Sequence, residues 1–598
     1  PHDRRFHAQA NACPECGPSL ELWDIGGAQA KDVDAYKLAV EEVRQGNILA
    51  VKGIGGFHLI VDARNSLAVR ELRLRKQRYD KPLALMFPSL EAISQCCKFS
   101  ALEERLLLSP ESPIVLLRRL DVDKHCLAYS IAPGNPYLGV MLPHTPLHHM
   151  LMRECKFPVV ATSGNLSEET ICINEEEALS RLGKIADKFL VNDRPISQHV
   201  DDSVVQVVLG REQVLRRAKG YAPLPVKIST KTGSFLAVGG HLKNTVAVSV
   251  RDNAFVSQHV GDLDTIESFD TFKKVVASFS ILYPNDSRTI VKDAHPNYRS
   301  SIFAGDEKSI SIQHHYAHVL SCMADNHLKG PVLGIAWDGS GYGEDGTLWG
   351  GEFLHVKDTS FERTACWRSF CLPGGEKAMR EPARCALGLL YDIYGDDVFA
   401  MNHLFSIQVY GRKDLKNLQT MLKKKINCPA TTSVGRLFDA VASIIGIRQT
   451  SSYEGQAAIE LEYVVNDSVK DFYPFKVLTK NGNGLKSDSV KPDNVAYVID
   501  WEPMIKEIVQ DTNNPNGVIS CKFHNTLVEA AVDIAKRIGE TKIIFSGGCF
   551  QNRYLTETMV ARFSGEGFSP YWHQRIPPND GGLSLGQIMG ASRLHGDI

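Results

Sequence analysis

Residues 332–353 read VLGIAWDGSGYGEDGTLWGGEF. An apolar run ends at Asp338, a glycine-rich turn follows, and the chain resumes as a second extended run. The stretch FLAVGGHLKNTVAVSV at 235–250 has the same plan: apolar strand, Gly-Gly turn, strand. Two such hairpins in one chain predict a duplicated α/β core in which each half supplies one glycine turn. A third turn, SGGCFQN at 546–552, leaves the apolar strand KIIFSGG. Glycine lets backbone N–H groups approach a phosphate or ribose closely. None of the three matches the P-loop or the dinucleotide fingerprint, and a single Gly-Gly is ordinarily a plain hairpin turn. Together they predict a split-domain ATP-binding fold of the actin and hexokinase (ASKHA) type. Its nucleotide-facing positions would be Gly239, Gly240, Asn244, Gly339, Gly341, Gly547, Gly548 and Asn552. Asp439 in VGRLFDAVAS and Glu454 in YEGQAA are further polar candidates; the alternative for each is a solvated helix face.

Between the two hairpins lies HHYAHVLSCMAD at 314–325, after the short strand SISI. His314 and His318 are one helical turn apart, so both imidazoles share a face about 5–6 Å apart. That suits one cation, and carboxylates can complete its shell. Asp338 ends an apolar strand at a glycine turn. Asp580 precedes Gly-Gly in PPNDGG (577–582), at another strand-to-helix turn. A His₂Asp₂ set accepts zinc, Fe(II) or manganese. His315 and His327 fall off the shared face. The alternative is a pair of hydrogen-bonded helix histidines.

Upstream, DVDAYKLAVEEVRQ (32–45) reads as an amphipathic helix and ILAVKGIGGFHLIVDA (48–63) as strand, glycine turn, strand. Helices are expected near 65–78, 88–108 and 145–154, and short strands near 82–87, 113–118, 157–161 and 203–209. The segment RLRKQRYDKPLALM (73–86) concentrates basic residues, among them Lys76, Arg78 and Lys81, before a strand. Such a run is usually a solvated helix face. Here ATSGNLSEE (161–169) brings hydroxyls and an amide, Thr162, Ser163 and Asn165, out of an apolar strand, and Arg194 and Arg216 follow. Cations that neutralise phosphate, with polar groups to orient it, suit adenylate or acyl-phosphate chemistry. His144, His148 and His149 in LPHTPLHHM read as buried or capping histidines, with acid–base roles as the alternative.

These segments divide the chain into an α/β domain at 31–222, a linker at 221–234 and the duplicated region at 235–598, with an exposed insertion at 465–498. Helices are expected near 376–394, 434–446 and 454–464. Residues 1–30 read as the remnant of a zinc-finger region, the rest of which would lie upstream. Cys13 and Cys16 form a CxxC flanked by proline and glycine. A structural zinc needs four ligands, and the alternative is two free thiols. A chain of 598 residues exceeds one hydrophobic core. The net charge of −2 argues against nucleic-acid binding through a large positive field. No apolar run reaches the ~18–20 residues of a membrane helix. The 14 scattered cysteines suit a reducing, cytoplasmic setting.

The segments RKQRYDKPLAL, SPIVLL, TSGNLSEE and VLRRAKGYAP resemble the YrdC/Sua5-type domain, which makes acyl-adenylates from ATP and carbamate-like acids. HHYAH, WDGSGYGEDG, SGGCFQN and PPNDGG resemble the metal-dependent ATP-binding domain of the tRNA threonylcarbamoyl transferases. In this order, and preceded by CPECGP, they resemble the HypF family, the carbamoyltransferases of NiFe-hydrogenase maturation. That family also carries an acylphosphatase-like domain and two complete zinc-finger motifs, so this chain is expected to lack the step that splits carbamoyl phosphate.

The resemblance implies that the first domain joins carbamate to ATP (with magnesium), giving carbamoyl-adenylate. Lys76, Arg78 and Lys81 would hold phosphates, Thr162, Ser163 and Asn165 would orient the nucleotide or carbamate, and Arg194 and Arg216 would close the site. The second domain, with a metal on His314, His318, Asp338 and Asp580, would pass the carbamoyl group to the C-terminal cysteine of HypE. A zinc would sit in the finger if that is complete. The two sites are expected to face each other across the 221–234 junction. A small-molecule O-carbamoyltransferase of the same two modules is the nearest alternative, though such enzymes place the metal domain first.

Overall fold

In the computed structural model, Val332–Tyr342 and Leu348–Val356 form the antiparallel hairpin expected from 332–353. The structure describes residues 17–120, 127–166, 169–228, 233–284, 288–479 and 495–595. Cys13 and Cys16 lie outside them. The chain divides into two units, the first built mainly from residues up to Val207 and the second mainly from those after Ala222.

The second unit contains the duplication. Phe361–Trp367 continues the hairpin antiparallel, while Lys542–Ser546 and Ser569–Trp572 add in parallel on its other side. In the other half, Phe235–Ala237, Ala247–Val250 and Asn253–Val256 are antiparallel neighbours, and Thr289–Asp293 and Ser309–Ile312 add in parallel. Both sheets therefore run third–second–first–fourth–fifth in chain order. In each half the fifth strand feeds a helix, His314–Asp325 in one and, after the Asp580–Gly582 turn, Leu583–Leu594 in the other. These two helices cross closely. A β-carbon at Gly586 would lie 1.9 Å from the Ala317 carbonyl oxygen, so only glycine permits the crossing.

Helices Pro382–Tyr394, Val434–Ile444 and Asn516–Ile538 cover the larger sheet. Phe353, Phe438 and Phe523 are buried in that core, each contributing about 1.5–3 kcal/mol. The helix expected over 376–394 is broken at Pro382, whose ring cannot continue a preceding helix. The expected linker and the expected exposed insertion each contain a strand. Pro225–Lys227, inside the 221–234 linker, is an edge strand paired with Asn253–Val256. Lys476–Thr479, inside the 465–498 insertion, pairs with Tyr497–Asp500.

The first unit is built on a mixed sheet. Its central strands are Val159–Ser163, Phe57–Asp62, Leu49–Lys52 and Lys188–Asn192. Helices Asp32–Arg44 and Pro146–Cys155 lie on one face, burying Ala39, Val43, Leu151 and Met152 against Val51, Ile60 and Val159. Leu20–Asp24 and Gly27–Lys31, within the expected finger remnant and at its end, join this sheet. The single helix expected over 88–108 is two, Leu90–Ser94 and Ala101–Leu107. Between them Cys97–Lys98 pairs with Arg118 and Arg119, and tertiary pairing overrides local helix preference there.

Candidate functional site

The ligand atoms of His314, His318, Asp338 and Asp580 all lie within 4.8 Å of one another, and all four side chains are buried. His314 is the first residue of its helix and His318 lies one turn on. Asp338 lies within its strand where pairing to the next strand shifts register. His318 Nε2 is 3.0 Å from Asp338 Oδ2 and 3.6 Å from Asp580 Oδ1. His314 Nε2 is 3.5 Å and 3.8 Å from the same two oxygens. It is fully buried with no hydrogen-bond partner. Two imidazole nitrogens and two carboxylate oxygens around one point, one nitrogen left unpaired, fit a tetrahedral divalent cation. Among the described residues it is the one cluster of this kind.

Asp293 was not anticipated. It ends the fourth strand of its half, and its Oδ2 lies 2.8 Å from His314 Nδ1. Its Oδ1 accepts from the His295 backbone N–H at 2.8 Å. A carboxylate behind a ligating imidazole fixes the tautomer and raises its basicity. Burial opposes the charged imidazolium of His314, but Asp293, with Asp338 and Asp580, lifts its pKa well above the ordinary value. The Asp338 carboxyl is disfavoured as an anion by burial, yet the imidazoles of His314 and His318 hold it well below the usual range.

Several of the glycines expected to face nucleotide lie against this cluster. Gly339 and Gly548 donate their N–H groups to Asp338 Oδ1 at 2.7 and 3.1 Å, leaving Oδ2 toward the histidines. A β-carbon at Gly341 would lie 2.6 Å from His314 Cδ2, and one at Gly240 would lie 3.4 Å from Asp580 Oδ2. Gly547 has φ +99°, and its β-carbon would meet the Trp337 carbonyl at 2.2 Å. Asn244 closes the Gly239–Gly240 turn by donating to the Val238 and Gly240 carbonyls at 2.8 and 2.6 Å. Asn552 caps helix Arg553–Gly565 and donates to His524 Nε2 at 2.9 Å. The side chains of Asn244 and Asn552 are thus engaged within the fold.

Asp439 and Glu454 are each ion-paired. Asp439 is buried beside Arg436 at 2.6 Å. Burial outweighs that pairing and pushes its carboxyl up to about 6. Glu454 pairs with Lys243 of the first glycine turn, which lowers its pKa.

In the first unit the structure brings Lys76, Ser163 and Asn165 together. Lys76 is 1% exposed. Its ammonium donates to the Ser163 carbonyl at 2.7 Å, to Asn165 Oδ1 at 2.8 Å and to the Asn165 carbonyl. Burial drives its pKa well below the ordinary value. Thr162 is buried in the strand opposite Leu59. Arg78 donates to the Pro82 carbonyl at 2.6 Å, and Lys81 is exposed. Arg194 is half-buried, its N–H on Asn192 Oδ1 at 3.2 Å. Arg216 ends strand Arg211–Arg216 in the second unit. Arg73, in the same basic run, is a brace, donating to the carbonyls of Arg78, Tyr79, Lys81 and Ile131 at 2.8–3.1 Å.

Four family models match. A "HypF finger" covers residues 1–23, a model described as "Telomere recombination" and named for Sua5, YciO and YrdC covers 41–218, a "HypF Kae1-like domain" covers 230–325, and "Carbamoyltransferase, Kae1-like Domain, second subdomain" covers 334–587. Carbamoyltransferase HypF of Synechocystis is 44% identical over 95% of this chain and 75% of its own length. That of Rhodobacter capsulatus is 38% identical over 99% and 77%. A crystal structure of full-length HypF in a phosphate- and nucleotide-bound form superposes with TM-score 0.90 at 41% identity, covering 99% of this chain and 76% of that one. HypF of T. kodakarensis gives TM-score 0.90 at 31% identity, over 99% and 77%. No helix among the described residues is long and apolar enough to cross a membrane. Identity at this level across nearly the whole chain, with a finger, a YrdC-type domain and both Kae1-like segments in order, places the chain in the HypF family of carbamoyltransferases.

Proposed function

We propose that the chain activates carbamate with ATP in its first unit and transfers the carbamoyl group in its second, to the C-terminal cysteine of the acceptor protein HypE. The thiocarboxamide formed is the precursor of the cyanide ligands of NiFe hydrogenase. The observation that carries this reading is the buried His314–His318–Asp338–Asp580 cluster with Asp293 behind it.

In the first step a carbamate oxygen attacks the α-phosphorus of ATP, and pyrophosphate leaves. Lys76 holds the Ser163–Asn165 turn in shape, and Arg78, Lys81 and Arg194 supply charge for the phosphates. In the second step the cysteine thiolate attacks the carbamoyl carbon, and AMP leaves. A divalent ion, zinc or Fe(II), held by His314, His318, Asp338 and Asp580 would supply Lewis-acid polarisation of the carbamoyl oxygen. Asp293 orients His314, and the Gly339 and Gly548 N–H groups fix Asp338. Asp439 and Glu454 would contact the nucleotide in the second unit. Cys13 and Cys16 would ligate zinc in the finger. The nearest alternative acceptor is a small-molecule hydroxyl.

Two assays test the steps separately. Carbamate-dependent exchange of pyrophosphate into ATP reads the first. Mass spectrometry of a HypE C-terminal peptide incubated with ATP and carbamate reads the second. Exchange without peptide modification would leave the adenylating half standing and remove HypE as acceptor.

A further inference from the structure

Three histidines of the first unit lie together without having been assigned a role. His58 sits in strand Phe57–Asp62 directly opposite Ser163, so the two side chains share one face of the sheet. Ser163 and Asn165 form the turn that holds Lys76. His58 Nε2 lies 3.0 Å from Asp202 Oδ2. The Lys219 ammonium donates to the other oxygen of Asp202 and, at 2.9 Å, to His144 Nε2. His148 closes the group, its ring centroid 4.6 Å from that of His144 and 5.6 Å from that of His58.

The hydrogen bonds fix the chemistry each group still offers. An ionised Asp202 can only accept, so His58 carries its proton on Nε2 and presents Nδ1 as an acceptor. That Nδ1 is buried without a partner. A β-carbon at residue 53 would lie 3.3 Å from it, so Gly53 keeps a side chain away from this nitrogen. His148 is 1% exposed and neither ring nitrogen has a partner; a neutral imidazole offers one N–H and one acceptor. Lys219 has a third ammonium proton beyond those given to Asp202 and His144. Buried polar atoms left unpaired cost free energy, so the three histidine nitrogens, beside the partly exposed Lys219 ammonium, point to a ligand.

We infer that His58, His148 and Lys219 form the pocket for the small acid of the first step, selecting carbamate by its amino group. This rests on the adenylation reading above. Carbamate has two N–H donors and two carboxylate oxygens, matching the two acceptors and two donors. Bicarbonate, its near isostere, has a single O–H. Acetate has no donor and would set an apolar methyl against His58 Nδ1.

His58→Gln tests this, because the glutamine amide nitrogen takes the place of Nε2 on Asp202 while the Nδ1 acceptor is lost. Exchange of pyrophosphate into ATP is measured with freshly dissolved ammonium carbamate, ammonium bicarbonate or acetate. The expected result is a carbamate KM raised about tenfold or more, an ATP KM within about twofold of wild type, and a reduced preference for carbamate over bicarbonate. His148→Asn should do the same. An unchanged carbamate KM in both variants overturns the inference. If neither variant folds, the wild-type enzyme decides: exchange as efficient with bicarbonate or acetate as with carbamate overturns it. A wild type that exchanges with none of the three refutes the adenylation reading itself, a distinguishable outcome.

Discussion

Asp293 Oδ2 lies 2.8 Å from His314 Nδ1, and both side chains are fully buried. This contact determines that Nε2 of the imidazole faces Asp338 and Asp580. The carboxylate comes from the fourth strand of one half and the imidazole from the helix after the fifth, so the strand order of the duplicated sheet sets the geometry of the cluster.

Asp293→Asn should therefore lower metal affinity by about 10–100-fold without removing a ligand. Competition with a coloured chelator measures it. Affinity equal to wild type would mean that Asp293 does not orient His314.

Gly586→Ala should destabilise the second unit by about 1–3 kcal/mol, since the added methyl would overlap the Ala317 carbonyl oxygen. Urea denaturation reads this directly. Because the crossing positions the helix that carries both histidines, retained metal should fall as well.

Lys76→Met should abolish pyrophosphate exchange, by about a hundredfold or more, because it removes the ammonium that ties Ser163 to Asn165. Metal content in the second unit should not change. Loss of both would point to general unfolding.

His524 supplies a pH test. It is fully buried, with Nδ1 on the Ser520 carbonyl at 2.7 Å, and burial lowers its pKa from 6.5 to about 4. Below pH 6.5 the unfolded chain binds a proton that the folded one refuses. The His524 contribution to stability is thus present at pH 7 and lost as pH falls toward 4, by up to about 2–3 kcal/mol. His524→Phe should lose less stability than wild type between pH 7 and 4.5 in urea titrations. Equal slopes would show that His524 takes up its proton without unfolding.

Much of this was legible locally. An apolar run ending in Asp and glycine marks Asp338, and an i,i+4 histidine pair marks His314 and His318. Asp293 ends an apolar strand in the same way, but Ala294 and His295 follow it where glycine would have drawn attention. His58, His144, Asp202 and Lys219 come from distant segments, and no spacing rule links residues that only sheet pairing brings together. The glycine turns lie where expected, yet the Gly339 and Gly548 N–H groups bind Asp338, since sequence shows that a backbone can approach closely without showing what it approaches. Pro225–Lys227 was hidden because proline in an edge strand resembles linker composition.

Metal-dependent transfer is tested most directly by measuring, on wild type and His314→Ala, bound metal by elemental analysis and carbamoylation of the HypE C-terminal peptide by mass spectrometry. The expected result is a metal-bearing, active wild type and a folded variant that has lost both, while its pyrophosphate exchange persists. A His314→Ala protein that keeps its metal and still modifies the peptide would contradict the assignment of His314, His318, Asp338 and Asp580 as the transfer centre.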